Sequence, residues 1–193
     1  MTHFLFIDAA VENIDRLQEC INPDTIFHRV DATKDGIEYV TKILDSERSG
    51  SQYQKNNFSN VTVSIVANRV PGGVQLGNII LDLSSLERYH DRIQNWFAGT
   101  PLTPSHHDRL QFYSNDAMAS AEGQELLQSL HRITYATVYA STPKPNNVQS
   151  WGSWQLDTLV NTWNTRLLPL FGQSKPPAPE SPFNSMVMAT YAL

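Results

Sequence analysis

Two short polar tips carry the side chains best placed for chemistry. The first is Ala67-Asn68-Arg69, which follows the β-branched run VTVSIVA at 61–67 and precedes the turn Pro71-Gly72-Gly73. The second is Ser114-Asn115-Asp116, which follows RLQFYS at 109–114. In an open α/β sheet, ligands bind outside the carboxyl ends of the strands. The two tips are therefore expected to face each other across one crevice. Asp8 closes FLFI at 4–7, and Asp31 follows TIFHRV at 25–30. Both are expected near the crevice floor, although holding loop amides is the more ordinary use of such a carboxylate. Trp151 and Trp154 stand at alternate positions in WGSWQL. On a strand that spacing puts both rings on one face, in the core or at the crevice edge.

The chemistry these residues offer is limited. Cys20 is the single cysteine, so it forms neither an internal disulfide nor a cysteine-based zinc site. It lies on a predicted helix beside Leu17 and Ile21, away from the crevice. Ser114 would need a base such as His106 or His107, but those precede the strand and belong at its opposite end. His106-His107-Asp108 is the one local metal-like cluster, and adjacent residues do not converge on one ion unaided. His3, His28 and His131 are scattered and read as framework residues. Gly72, Gly73 and Gly77 lack the spacing of a phosphate loop and read as turn residues. No cofactor and no metal is expected.

These tips must be positioned by alternating strands and helices. FLFI, TIFHRV, VTVSIVA, RLQFYS and ATVYAS (136–141) read as strands. VENIDRLQECI (11–21), DGIEYVTKIL (35–44), SLERYHDRIQNWF (85–97) and AEGQELLQSLHRI (121–133) carry apolar stripes three or four apart and read as helices. Ser84 or Ser85 is the expected cap of the third. VQL and IIL, at 74–76 and 79–81, flank Gly77-Asn78 as a small hairpin. The alternation predicts an α/β domain with a mostly parallel sheet and helices on both faces. A domain over 1–157 is expected, followed by a C-terminal extension over 158–193. The extension comprises a helix in TLVNTWNTRLLPLF (158–171), a Pro-rich strap and the apolar end FNSMVMATYAL. The simplest role of that end is packing back on the domain; docking on a partner is the rival.

Charged residues make up 17% and the net charge is -5, with no dense basic run. Nucleic-acid binding, which needs clustered positive charge, is not expected. No stretch is long and apolar enough to span a membrane, and the first residues lack the pattern of a leader peptide. The expected location is the cytoplasm.

Several separated motifs agree with one family. FLFID, DATKDGIEYVTKIL, IVANRVPGGVQLGN, FYSNDAMASAEGQELLQSL, VYAS and WGSWQLD run in order over residues 4–157. On them the chain resembles a bacterial domain family of unassigned function, often found near the start of very large secreted adhesin-like or repeat-bearing proteins. That family is similar in fold to caspases, gingipains and self-cleaving toxin domains. The resemblance implies a caspase-like sheet. It also implies a Ser-His-Gly triplet where this chain has Ala67-Asn68-Arg69, and a Tyr-Gly-Cys-Asn run where it has Tyr113-Ser114-Asn115-Asp116. The family's candidate base thus falls at Asn68 and its candidate nucleophile at Asn115. An amide neither supplies a thiolate nor exchanges a proton near neutral pH. The implied protein is not an enzyme but a pseudoenzyme, a noncatalytic protein-binding or scaffold protein. Arg69 and Asp116 would pair across the dead site or read a charged partner. Self-association through the C-terminal tail is a second expectation. The alternatives are a small hydrolase using Ser114 or Asp116, and a small-molecule sensor using the vacated crevice.

Overall fold

The computed structural model describes residues 2–49, 60–97, 108–114, 120–141, 156–160 and 180–183. Its centre is a six-stranded sheet in the order β2-β1-β3-β7-β8-β9. The strands are β1 (Thr2–Asp8), β2 (Thr25–Val30), β3 (Val61–Val66), β7 (Arg109–Tyr113), β8 (Thr137–Ser141) and β9 (Leu156–Val160). The first five run parallel, and β9 pairs with β8 antiparallel. A second, three-stranded antiparallel sheet is inserted after β3: β4 (Asn68–Val70), β5 (Gly73–Leu76) and β6 (Ile79–Leu81).

The apolar runs form the central strands because both of their faces are covered. Phe4, Leu5, Phe6 and Ile7 are all buried, as is every residue of β3. On one face, Phe4, Phe6, Val63, Ile65, Leu110, Phe112 and Val138 pack in a single core with three helices. These are α2 (Gly36–Ser49), α3 (Leu83–Gln94) and α4 (Ala121–Thr134). Trp96 fills the base of that core and donates its indole N–H to Thr41 Oγ1 at 2.9 Å. The other face is covered by α1 (Ile14–Glu19) and by Phe183, over Leu5, Ile7, Val66 and Tyr113. Helices thus lie on both faces, three against one.

Three local expectations change. The first helix begins at Ile14 rather than Val11, because Asn13 adopts a left-handed conformation (φ 51°) that no helix continues through. Asp82, not Ser84 or Ser85, caps α3. Its Oδ1 accepts from Ser85 N at 2.8 Å while Asp82 N donates to Ser85 Oγ at 3.0 Å, a reciprocal capping box. A carboxylate also suits the positive end of the helix better than a hydroxyl does. Residues 158–160, expected to open a helix, complete β9 instead, which runs across the 157/158 boundary. A strand edge on β8 was available there, and backbone pairing overrode the helical spacing. The rest of that expected helix, most of the Pro-rich strap and residues 184–193 lie outside the described residues. Phe183, the first residue of the expected apolar end, packs on the α1 face of the sheet.

Candidate functional site

The direction of winding reverses between β1 and β3, so the carboxyl ends of these strands flank the topological switch point. Asp8 ends β1, Ala67 follows β3, and Ser114 follows β7. Val66 pairs in register with Tyr113, and Ile7 with Val66, which brings the three ends side by side.

Asp8 is fully buried, and both carboxylate oxygens hold backbone amides. Oδ1 accepts from Ala10 N at 2.8 Å and Oδ2 from Gly77 N at 2.5 Å. The second bond ties the tip of the inserted hairpin to the end of β1. The hairpin tip is fixed on its other side as well. Asn78 N donates to Lys34 O at 2.8 Å, Asn78 Nδ2 donates to Thr33 O at 3.0 Å, and Gly77 bridges Asp35. Only glycine fits at residue 77: φ is +63°, and a Cβ would stand 2.0 Å from the Lys34 carbonyl oxygen. The Gly77-Asn78 turn therefore fills the space beside the β1 end.

Asn68 and Arg69 are exposed at the start of β4. Asn68 Nδ2 donates to Ala10 O at 2.9 Å, and its backbone pairs with Gln75. The Asn68 amide thus ties the β3 tip to the β1 tip. Asp31 is exposed and forms a local turn, with Oδ1 accepting from Thr33 N (2.8 Å) and Thr33 Oγ1 (2.7 Å). These bonds, the Thr33 backbone bond first, hold its carboxyl below the usual range. It stands with the loop amides rather than on a crevice floor. Ser114 is 4% exposed, and its Oγ has no hydrogen-bond partner. Ser141 Oγ meets its backbone, at 3.3 Å from both Ser114 N and Ser114 O. Asn115, Asp116, Trp151, Trp154, His106 and His107 lie outside the described residues.

Asp108 starts the opposite end of β7, as expected. It is buried, and Oδ1 accepts from Val61 N at 2.7 Å. Among the described residues no group of His, Cys, Asp and Glu is placed to hold a metal ion. Cys20 is 1% exposed, and burial, then Glu19, pushes its thiol up. A protonated, enclosed thiol is a poor nucleophile.

Sequence reasoning missed a polar seam on the α1 face of the sheet. His3 Nε2 lies 2.8 Å from Ser64 Oγ, and Ser64 donates to Gln111 Oε1 at 2.7 Å. Tyr113 OH donates to the same oxygen at 3.2 Å, and Gln111 Nε2 donates to Glu180 O at 3.3 Å. Ser64 and Gln111 are completely buried. Burial, then the Arg109 charge, lowers the His3 pKa to about 4. The available signal was polar residues at alternate positions inside otherwise apolar strands.

The sheet order, its switch point and the tip residues define an α/β domain whose strand ends are tied together by backbone-directed polar side chains. A family model described as a domain of unknown function, DUF4347, matches residues 4–174, and the chain belongs to that family. No curated protein and no solved structure matches it. No described helix is long and apolar enough to cross a membrane.

Proposed function

We propose that this domain is a noncatalytic protein-binding module, built on a caspase-like peptidase fold whose reactive pair has been replaced. The observation that carries the reading is the use made of the strand-end polar groups. Both oxygens of Asp8 and the amide of Asn68 are committed to backbone atoms of the tips. A general base must reach a substrate proton with a free lone pair, whereas these groups rigidify a surface. Such a surface, with Arg69 exposed on it, suits recognition of an acidic patch on a partner. The absence of any described apolar helix long enough to span a membrane is compatible with a partner met in solution.

One observation favours a second reading. The Ser114 hydroxyl is enclosed at the end of β7 without a partner, and an unsatisfied buried polar group often marks a functional position. A small hydrolase or a small-molecule sensor would use it. One experiment separates the two. The full chain and Ser114→Ala are incubated with a panel of peptide and ester substrates, while the full chain and Arg69→Glu serve as baits in the native extract. The binding reading expects no Ser114-dependent turnover and a captured protein that Arg69→Glu loses. Turnover abolished by Ser114→Ala overturns it in favour of the hydrolase.

A further inference from the structure

Residues 180–183 lie across the α1 face of the sheet, with a bend at Pro182. Phe183 is 4% exposed and inserts among Leu5, Ile7, Leu17, Cys20 and Val66. Its ring meets Tyr113 edge-on, with centroids 5.9 Å apart and planes at 87°. The backbone is read residue by residue. Glu180 O accepts from Gln111 Nε2, Ser181 O from Asn22 Nδ2 at 3.0 Å, and Pro182 O from Asn22 N at 2.9 Å. Phe183 forms an antiparallel bridge with Ile21. Ser181 Oγ accepts from Phe183 N at 3.2 Å.

These are elements of peptide recognition: main-chain bonds for affinity and one side-chain pocket for specificity. The walls come from β1, β7 and the α1–β2 corner, all joined by the main sheet. Nineteen residues, 161–179, separate the end of β9 from Glu180. That length reaches at most about 65 Å when extended, enough for the segment to seat on its own domain or on an adjacent one.

We propose that this face is an exchangeable peptide site, filled in cis by Ser181–Phe183 and in trans by the same segment of a second copy of the chain. The proposal rests on the protein-binding reading and names a partner for it. The two fail separately, because that reading turns on the Arg69 tip and this one on Phe183. A segment joined to its own site by the chain meets that site at an effective concentration on the order of a millimolar. The cis form therefore dominates in dilute protein, and exchange between copies appears as concentration approaches that value. Exchange of an identical element is a low-cost route to a dimer.

The test uses the full chain, Phe183→Ala and Asn22→Ala in sedimentation, from about 10 μM to about 1 mM, bracketing the effective concentration. The wild type is expected to move from monomer toward dimer. Phe183→Ala should stay monomeric throughout, with Asn22→Ala between them. A labelled peptide of residues 179–186 should bind Phe183→Ala at least about tenfold more tightly than wild type, whose site is already filled. Should Phe183→Ala not fold, the peptide decides the matter on the wild type, where excess peptide must return concentrated dimer to monomer. Equal mass profiles for wild type and folded Phe183→Ala, or wild-type dimer untouched by the peptide, overturn the proposal.

Discussion

Acidification should weaken this fold through His3 in a way that one substitution isolates. In the folded chain the ring is held against Ser64, within the field of Arg109, and its pKa lies at about 4. In the unfolded chain a histidine titrates near 6.5. Between these values the unfolded state binds more protons, so stability falls as pH falls. The loss begins near pH 6.5, is complete near pH 4, and does not grow below that. A gap of about 2.5 pH corresponds to about 3 kcal/mol at most, and residual solvent contact trims it. Gln at this position keeps a donor for Ser64 and removes the titration. Urea unfolding of wild type and His3→Gln from pH 7.5 to 4 gives the two stability profiles. His28, whose pKa burial also lowers against the opposing pull of Glu47, is common to both chains and cancels. Wild type should lose about 2–3 kcal/mol more than His3→Gln over this range. Parallel profiles would refute the account of the seam.

Other perturbations have equally definite outcomes. Asp8→Asn turns an acceptor of two amides into a group with one N–H donor facing a donor; a loss of about 1–3 kcal/mol is expected. That should appear as a melting temperature lower by about 3–10 °C in calorimetry. Gly77→Ala forces a Cβ onto the Lys34 carbonyl at a positive φ and should cost more than about 2 kcal/mol in denaturant unfolding. Phe183→Ala should cost about 3 kcal/mol and open the cluster over Cys20. The measurement is the rate of thiol labelling by a chromogenic disulfide, slow in wild type and faster in the variant; equal rates would show that Phe183 does not shield the thiol.

The sequence made the parallel core legible because burial on both faces writes continuous apolar runs. FLFI suits a buried strand, and VTVSIV carries the strongest central-strand signal. The hairpin was legible from its glycines, yet its job was not: that Gly77 N reaches Asp8 depends on a contact across 69 residues. Asp8 and Asp31 read from the sequence as crevice candidates or as loop-holding carboxylates, and spacing alone does not say which atoms they hold. The polar seam stayed hidden because Ser64 and Gln111 read as ordinary interruptions of a strand, and only the register of β3 against β7 makes them partners. The strand over 156–160 was obscured because pairing with β8, not local propensity, decides its state.

The placement of Phe183 also bears on how the chain acquires its fold. β1 precedes β2 and β3 in the chain and lies between them in the sheet, so it waits for both before its edges are paired. The face it shares with Tyr113 waits longer still, since the Ile21–Phe183 bridge joins residues near opposite ends of the chain. Contacts this distant in sequence form late, and a ribosome releases the N-terminal part first. Until then the part of this face that Phe183 covers is open to water. An entirely apolar surface would then invite sticking to neighbours. The His3, Ser64 and Gln111 groups make it wettable during that interval. They bond to one another, and Gln111 to Glu180 once that residue arrives. The seam thus makes the nascent domain tolerant of a long wait for the segment that covers it.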